Sequence, residues 1–172
     1  HLETDKLLVP RPLLTVETSV AALFGMVRLH KPTLLFDETD ALVGPRAKDR
    51  EDLRALLNAG FERGAEVPRC VGDGASMKVE MYPVFAPVAL AGLGKLPHTL
   101  ETRSIVIRMR PRTADEHVER LNKRRVKPEA DRLRSRWAAW AERHTVQLRD
   151  AEPDLPGELS DRAQDIWEPL LA

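Results

Sequence analysis

Thr33-Leu34-Leu35-Phe36-Asp37-Glu38 is the stretch on which the fold turns. Pro32 opens it, a continuous run follows with no alternation of polar and apolar residues, and two carboxylates end it. An alternating run would give a strand with one wet face. A run without alternation suits a strand buried on both faces, as in a parallel sheet covered by helices.

The flanking sequence agrees. Residues 2–9 read as the tail of a helix ended by Pro10 and Pro12. Pro12-Leu13-Leu14-Thr15 is a second short strand. Thr18 or Ser19 can cap a helix whose apolar positions are Val20, Leu23, Phe24 and Val27. Downstream, Leu53, Leu56, Leu57 and Phe61 recur at helical spacing over residues 49–61. Residues 67–71 and 77–82, on either side of Gly72-Asp73-Gly74, predict a β-hairpin. Residues 88–91 and 104–109 are two further apolar runs of strand length.

A helix is expected from Thr113 or Asp115 to Arg124. Another is expected with Pro128 in its first turn, where a missing N–H costs nothing. Leu133, Trp137, Trp140 and His144 share one face of it, and the tryptophans are expected against a core. A short helix closes the sequence at residues 160–167. This order of elements gives an α/β fold, with a sheet core over residues 1–112 and a helical segment over 113–172.

Composition narrows the function classes. Over 172 residues, 27 Lys and Arg balance 27 Asp and Glu, which excludes an all-over basic coat but not a local patch. Hydrophobic residues at 42% supply a core. Cys70 is the single cysteine, so an internal disulfide and a cysteine-rich zinc site are both excluded, and a buried structural thiol is expected. The five histidines have no metal-ligand spacing. No apolar run reaches the roughly 20 residues of a membrane helix, and the first residues do not form a signal peptide. The expectation is a cytoplasmic protein with no membrane partner.

Two places carry candidate chemistry. Asp37 and Glu38 stand where a buried strand ends, and ligands of open α/β sheets bind at carboxyl ends of strands. Asp37 could hold a hydrated magnesium ion, and Glu38 could orient or deprotonate a water. The plainer reading is two solvated acids at a strand end. A metal-only nuclease or phosphotransferase using Asp37, Glu38 and Asp40 is a further alternative. Lys95 follows one apolar run and Arg103 precedes the next. An arginine so placed can reach nucleotide phosphates, and it can equally be a surface residue. Between residues 123 and 149, nine basic residues face three acidic ones. Arg124, Arg125 and Lys127 are the candidates for nucleic-acid phosphates, against the simpler reading of a solvated helix face.

Taken together, these motifs are recognisable. Thr33-Leu34-Leu35-Phe36-Asp37-Glu38-Thr39-Asp40-Ala41-Leu42 resembles the Walker B segment of P-loop ATPases. The larger pattern resembles a domain-of-unknown-function family of actinobacteria and their phages, found in ATPase modules of primase–helicase proteins. The stretches that carry the resemblance run from Leu7-Leu8-Val9-Pro10 through Leu56-Leu57-Asn58-Ala59-Gly60 and Leu90-Ala91-Gly92-Leu93-Gly94-Lys95. They end at Leu159-Ser160-Asp161-Arg162-Ala163 and Trp167-Glu168-Pro169. The resemblance implies a P-loop NTPase-type parallel sheet with a hairpin insertion, and magnesium and ATP as cofactors. It makes Asp37 and Glu38 the magnesium and water-activating acids, Arg103 an arginine finger or sensor, and Lys95 a second sensor candidate. It also implies a homo-oligomer or a partner ATPase chain, acting on DNA.

The sequence departs from that family at one point. A P-loop needs GxxxxGK[ST]. The nearest match, Gly92-Leu93-Gly94-Lys95-Leu96, has Ala89 for the first glycine and Leu96 for the hydroxyl residue. The resemblance places the phosphate cradle just before His1, so the chain reads as the middle and rear of a module. The expected function is a portion of a phage-type helicase or primase-associated ATPase, inactive alone. The alternative is a non-catalytic DNA- or protein-binding module. In such sheets the strand before the phosphate loop lies between the strands expected here at 88–91 and 104–109. Without it, both strands have an open edge or must pair with each other.

Overall fold

The computed structural model describes residues 2–15, 18–37 and 51–172. Its elements are α1 (Leu2–Leu8), β1 (Pro12–Thr15), α2 (Val20–His30), β2 (Thr33–Phe36), α3 (Glu51–Ala59), β3 (Glu66–Val71), β4 (Lys78–Pro83), β5 (Val88–Leu90), α4 (His98–Glu101), α5 (Lys123–Arg149) and α6 (Asp161–Leu171). The fold is α/β, with a parallel sheet in the order β1-β2-β5 and a separate antiparallel hairpin, β3-β4. The chain divides into two compact units, His1–Leu100 and Glu101–Ala172. None of the described helices is long and apolar enough to cross a membrane.

In the first unit β2 lies centrally, pairing Leu34 with Leu13 of β1 and with Val88 of β5. All four of its residues are buried, as the lack of alternation predicts. Leu34 and Phe36 join a core with Leu23, Phe24 and Val27 of α2 and Leu53, Leu56 and Leu57 of α3. α1 packs on β1 and β2. Ser19 caps α2, its hydroxyl accepting from the Ala22 N–H at 3.3 Å. Lys31 ends α2 in the left-handed region at φ 45°. Its carbonyl accepts from Arg11 Nε at 2.8 Å, and the Thr33 hydroxyl donates to the Pro10 carbonyl at 2.8 Å. These bonds tie the entry of β1 to the entry of β2 and help set their parallel register.

α3 ends against the segment leading into β5. The Gly60 N–H donates to the Leu56 carbonyl at 2.7 Å, and the Gly60 carbonyl accepts from the Ala86 N–H at 3.3 Å. Val84 and Ala86 are thereby drawn into the core.

The hairpin alternates along β3, with Val67, Arg69 and Val71 half-buried and Glu66, Pro68 and Cys70 exposed. Cys70 is therefore not the buried thiol that composition suggests. The alternation of a two-sided hairpin overrides its apolar character and turns it to solvent. Its inward neighbour Arg69 lies over the Phe24 ring at 4.3 Å, and Arg28 lies over Tyr82 at 4.7 Å. Phe24 and Tyr82 meet edge to face at 6.3 Å.

Glu80 joins the hairpin to α2. Its carboxylate accepts from Lys78 at 2.7 Å and from Arg28 at 2.8 Å. The hydrogen bond from Lys78 and then that from Arg28 lower its pKa from an ordinary 4.5 to about 2. A depressed carboxylate pKa contributes stability above the unfolded value and loses it as pH falls through the folded value. Glu80→Gln is therefore expected to flatten the dependence of the urea midpoint on pH between 4.5 and about 2. A variant with the same slope as the parent in that window would show that the ion pairs do not contribute.

The second unit departs from four expectations. Residues 104–109 do not form a strand, and Ile105, Val106, Ile107 and Met109 are exposed. A strand is made by a ladder partner, and among the described residues no strand pairs with this run. Among the described residues β5 pairs only with β2. The two arrangements expected without a central strand both assume a strand at 104–109, and neither is found.

The helix expected from residue 113 or 115 is also absent, the chain remaining irregular until α5. The Glu116 carboxylate accepts from the Thr113 N–H at 2.8 Å and pairs with Arg110, the arrangement of a helix start, but no helix follows it. Asn122 then caps α5, its side chain accepting from the Arg125 N–H at 3.2 Å. Pro128 consequently lies inside α5 rather than in its first turn. Trp137 and Trp140 are 50% and 48% exposed, not core residues, because no other element packs extensively on α5.

Candidate site at the carboxyl end of the parallel sheet

Because β1, β2 and β5 run in one direction, their last residues fall on one edge of the sheet. The register aligns Thr15 with Phe36 and Phe36 with Leu90. Asp37 follows Phe36 directly and is exposed. The ladder extends one step past β5, with the Ala91 N–H donating to the Phe36 carbonyl at 2.9 Å. The following residues, Gly92 to Lys95, are exposed. Glu38 and Asp40 lie outside the described residues.

Thr15 was not foreseen as a site residue. It is 3% exposed, and among the described residues its hydroxyl has no hydrogen-bond partner. A buried polar group without a partner is costly, and such groups cluster where a ligand or ion completes them. The one sequence signal for it is a hydroxyl residue closing an otherwise apolar strand.

The donor set at this edge speaks to the kind of metal it would suit. Among the described residues no group of three or more His, Cys, Asp or Glu could hold an ion. Asp37 alone does not make a protein-only metal cage. One carboxylate does fit magnesium, which commonly keeps several waters and takes its remaining ligands from substrate phosphates.

Arg103 and the basic residues belong to the second unit. Arg103 is half-buried beside Thr102, whose hydroxyl Arg162 of α6 approaches at 3.5 Å. Arg124 and Arg125 are exposed in the first turn of α5. Lys127 pairs with Asp131 at 2.6 Å, and Arg134 donates to the same carboxylate at 2.8 Å. The hydrogen bond from Lys127, the largest cause, holds Asp131 below the usual carboxylate range.

Residues 108–172 match a protein family of unknown function, DUF3631. The DUF3631 match lies wholly within the second unit, covering α5 and α6 and leaving the sheet outside it. No curated protein and no solved structure matches the chain.

Proposed function

We propose that this chain is a portion of a P-loop ATPase module of helicase or primase-associated type, of the kind found in phages, that couples magnesium–ATP hydrolysis to DNA remodelling. The observation that carries the reading is Asp37, placed directly after a central strand of a parallel sheet that is buried on both faces. Ligands of open α/β sheets bind at this edge.

In this reading Asp37 anchors hydrated magnesium, and Glu38, the next residue, orients the attacking water. Bound magnesium–ATP supplies the phosphoryl group and the charge neutralisation. Arg103 and Lys95 reach phosphates, Arg103 those of a neighbouring subunit. Arg124 and Arg125, with Lys127 behind them, contact the DNA backbone. The 172 residues contain no GxxxxGK[ST], so the phosphate cradle comes from outside them. Positioning of the β and γ phosphates is most of phosphoryl-transfer catalysis, so the chain alone is not an active hydrolase.

A second reading is a non-catalytic DNA- or protein-binding module. The lack of GxxxxGK[ST] within the 172 residues favours it.

Titration calorimetry with a non-hydrolysable ATP analogue and magnesium separates the two. The expected result is silence from the 172-residue chain and binding by the protein of the whole natural reading frame. Asp37→Ala in that longer protein is expected to lower hydrolysis about a hundredfold. Hydrolysis indifferent to Asp37→Ala, or no nucleotide binding by the longer protein, would favour the binding module.

A further inference from the structure

The second unit has two partly exposed apolar surfaces set in opposite charge. Along α5, Val126, Ala130, Leu133, Trp137, Trp140, His144 and Leu148 recur at steps of three and four and form one seam. Ala130 is buried and Val126, Leu133, His144 and Leu148 are half-buried, while Trp137 and Trp140 are exposed, Trp140 stacking on His144 at 4.7 Å. By helical periodicity Arg136 and Arg143 run along one flank of the seam, and Lys127 and Arg134 along the other.

The segment after α5 is the complement. Residues 150–172 carry seven acidic residues and one basic, against three acidic and nine basic in α5. On α6, Trp167, Leu170 and Leu171 lie on one face and are 38%, 62% and 49% exposed. α5 and α6 share no extended packing, and Arg162 holds α6 toward Thr102 instead.

We infer that the α5 seam of one copy receives α6 of a second copy, and the reverse, in a two-fold dimer. Charge selects this occupant. Two α5 seams facing each other would set arginine flank against arginine flank, and like charges across an interface reject the pairing. α6 brings its apolar face to the tryptophans and, by helical periodicity, carries Glu168 on a flank of that face, within reach of the arginines. Size agrees, since the eleven residues of α6 span about 16 Å and the seam from Leu133 to Leu148 about 22 Å. Reciprocal exchange closes the symmetry and leaves no free end for further growth.

Sedimentation equilibrium of the 172-residue chain tests this, with a dimer of twice 19.4 kDa expected, weakening at high salt. Arg136→Glu with Arg143→Glu, and separately Glu168→Lys, are each expected to weaken self-association about tenfold. All three residues are exposed, so helix content by circular dichroism is expected to stay at the parent level. Mixing the two charge-reversed chains is expected to restore association as a heterodimer. A monomer at every concentration, or a dimer indifferent to both reversals, would overturn the inference. So would a chain that binds duplex DNA through Arg136 and Arg143 without associating with itself.

Discussion

Leu34→Asp is expected to leave the first unit unfolded, with no cooperative urea transition. Leu34 is fully buried, flanked in the sheet by Leu13 and Val88, and packed in the core formed with α2 and α3. A carboxylate there would lose its hydration with no partner, at a cost of several kcal/mol. A domain's whole stability is only about 5–15 kcal/mol. The graded form of the experiment is Leu34→Ala, expected to cost about 3 kcal/mol as a shift in urea midpoint with unchanged slope. Leu29→Ala, at a residue 74% exposed on α2, is the matched control and is expected to stay within about 0.5 kcal/mol of the parent. Equal effects at the two leucines would mean that β2 is not the centre of the core.

Gly60→Ala is the second large effect. A Cβ at this position would stand 2.7 Å from the Val84 carbonyl oxygen and 2.8 Å from that of Leu56. Both neighbours are backbone, so no rotamer change relieves the overlap. Gly60 is also bonded through its N–H to Leu56 and through its carbonyl to Ala86, so any shift strains the joint between α3 and the approach to β5. Overpacking of this kind costs about 1–3 kcal/mol, and the rigidity of both contacts places Gly60→Ala near the upper end. Gly25→Ala is the control, because a Cβ there meets nothing within 4 Å and alanine favours helix. It is expected to leave the midpoint unchanged or raise it. A Gly60→Ala protein as stable as the parent would show that α3 can move away from the Val84 segment freely.

Where the sequence was legible, local and global preferences coincide. β2 was readable because burial on both faces removes alternation, and α2 because Ser19 caps a run with helical period. The hairpin was readable because apolar runs bracket Gly72, at φ 91°, which needs a residue without Cβ. Legibility failed where the deciding partner is distant or a local signal goes unused. Residues 104–109 have strand composition, yet a strand exists only with a ladder partner. Residues 113–122 carry a helix-start signal in Thr113 and Glu116, yet the chain stays irregular until Asn122 caps α5. Arg69 could not be placed inward by hydrophobicity, since its position rests on the Phe24 ring. At the candidate site Asp37 was readable from its place after β2, while Thr15 became visible only once the parallel register aligned it with Phe36.

The sheet order also dictates when the first unit can assemble. β1 meets β2 across a single helix, but β2 meets β5 only after the chain has passed through α3 and the whole hairpin. The hairpin is a local structure that can form in about 1–10 μs, whereas the distant pairing must first overcome the entropy of closing a long loop. An early hairpin shortens that loop, and Tyr82 and Val67 already present a surface on which the core residues of α2 can settle. In this topology the β3–β4 ribbon shortens the loop that β5 must close onto β2, and the segment that follows it places Val84 and Ala86 in the core with α3.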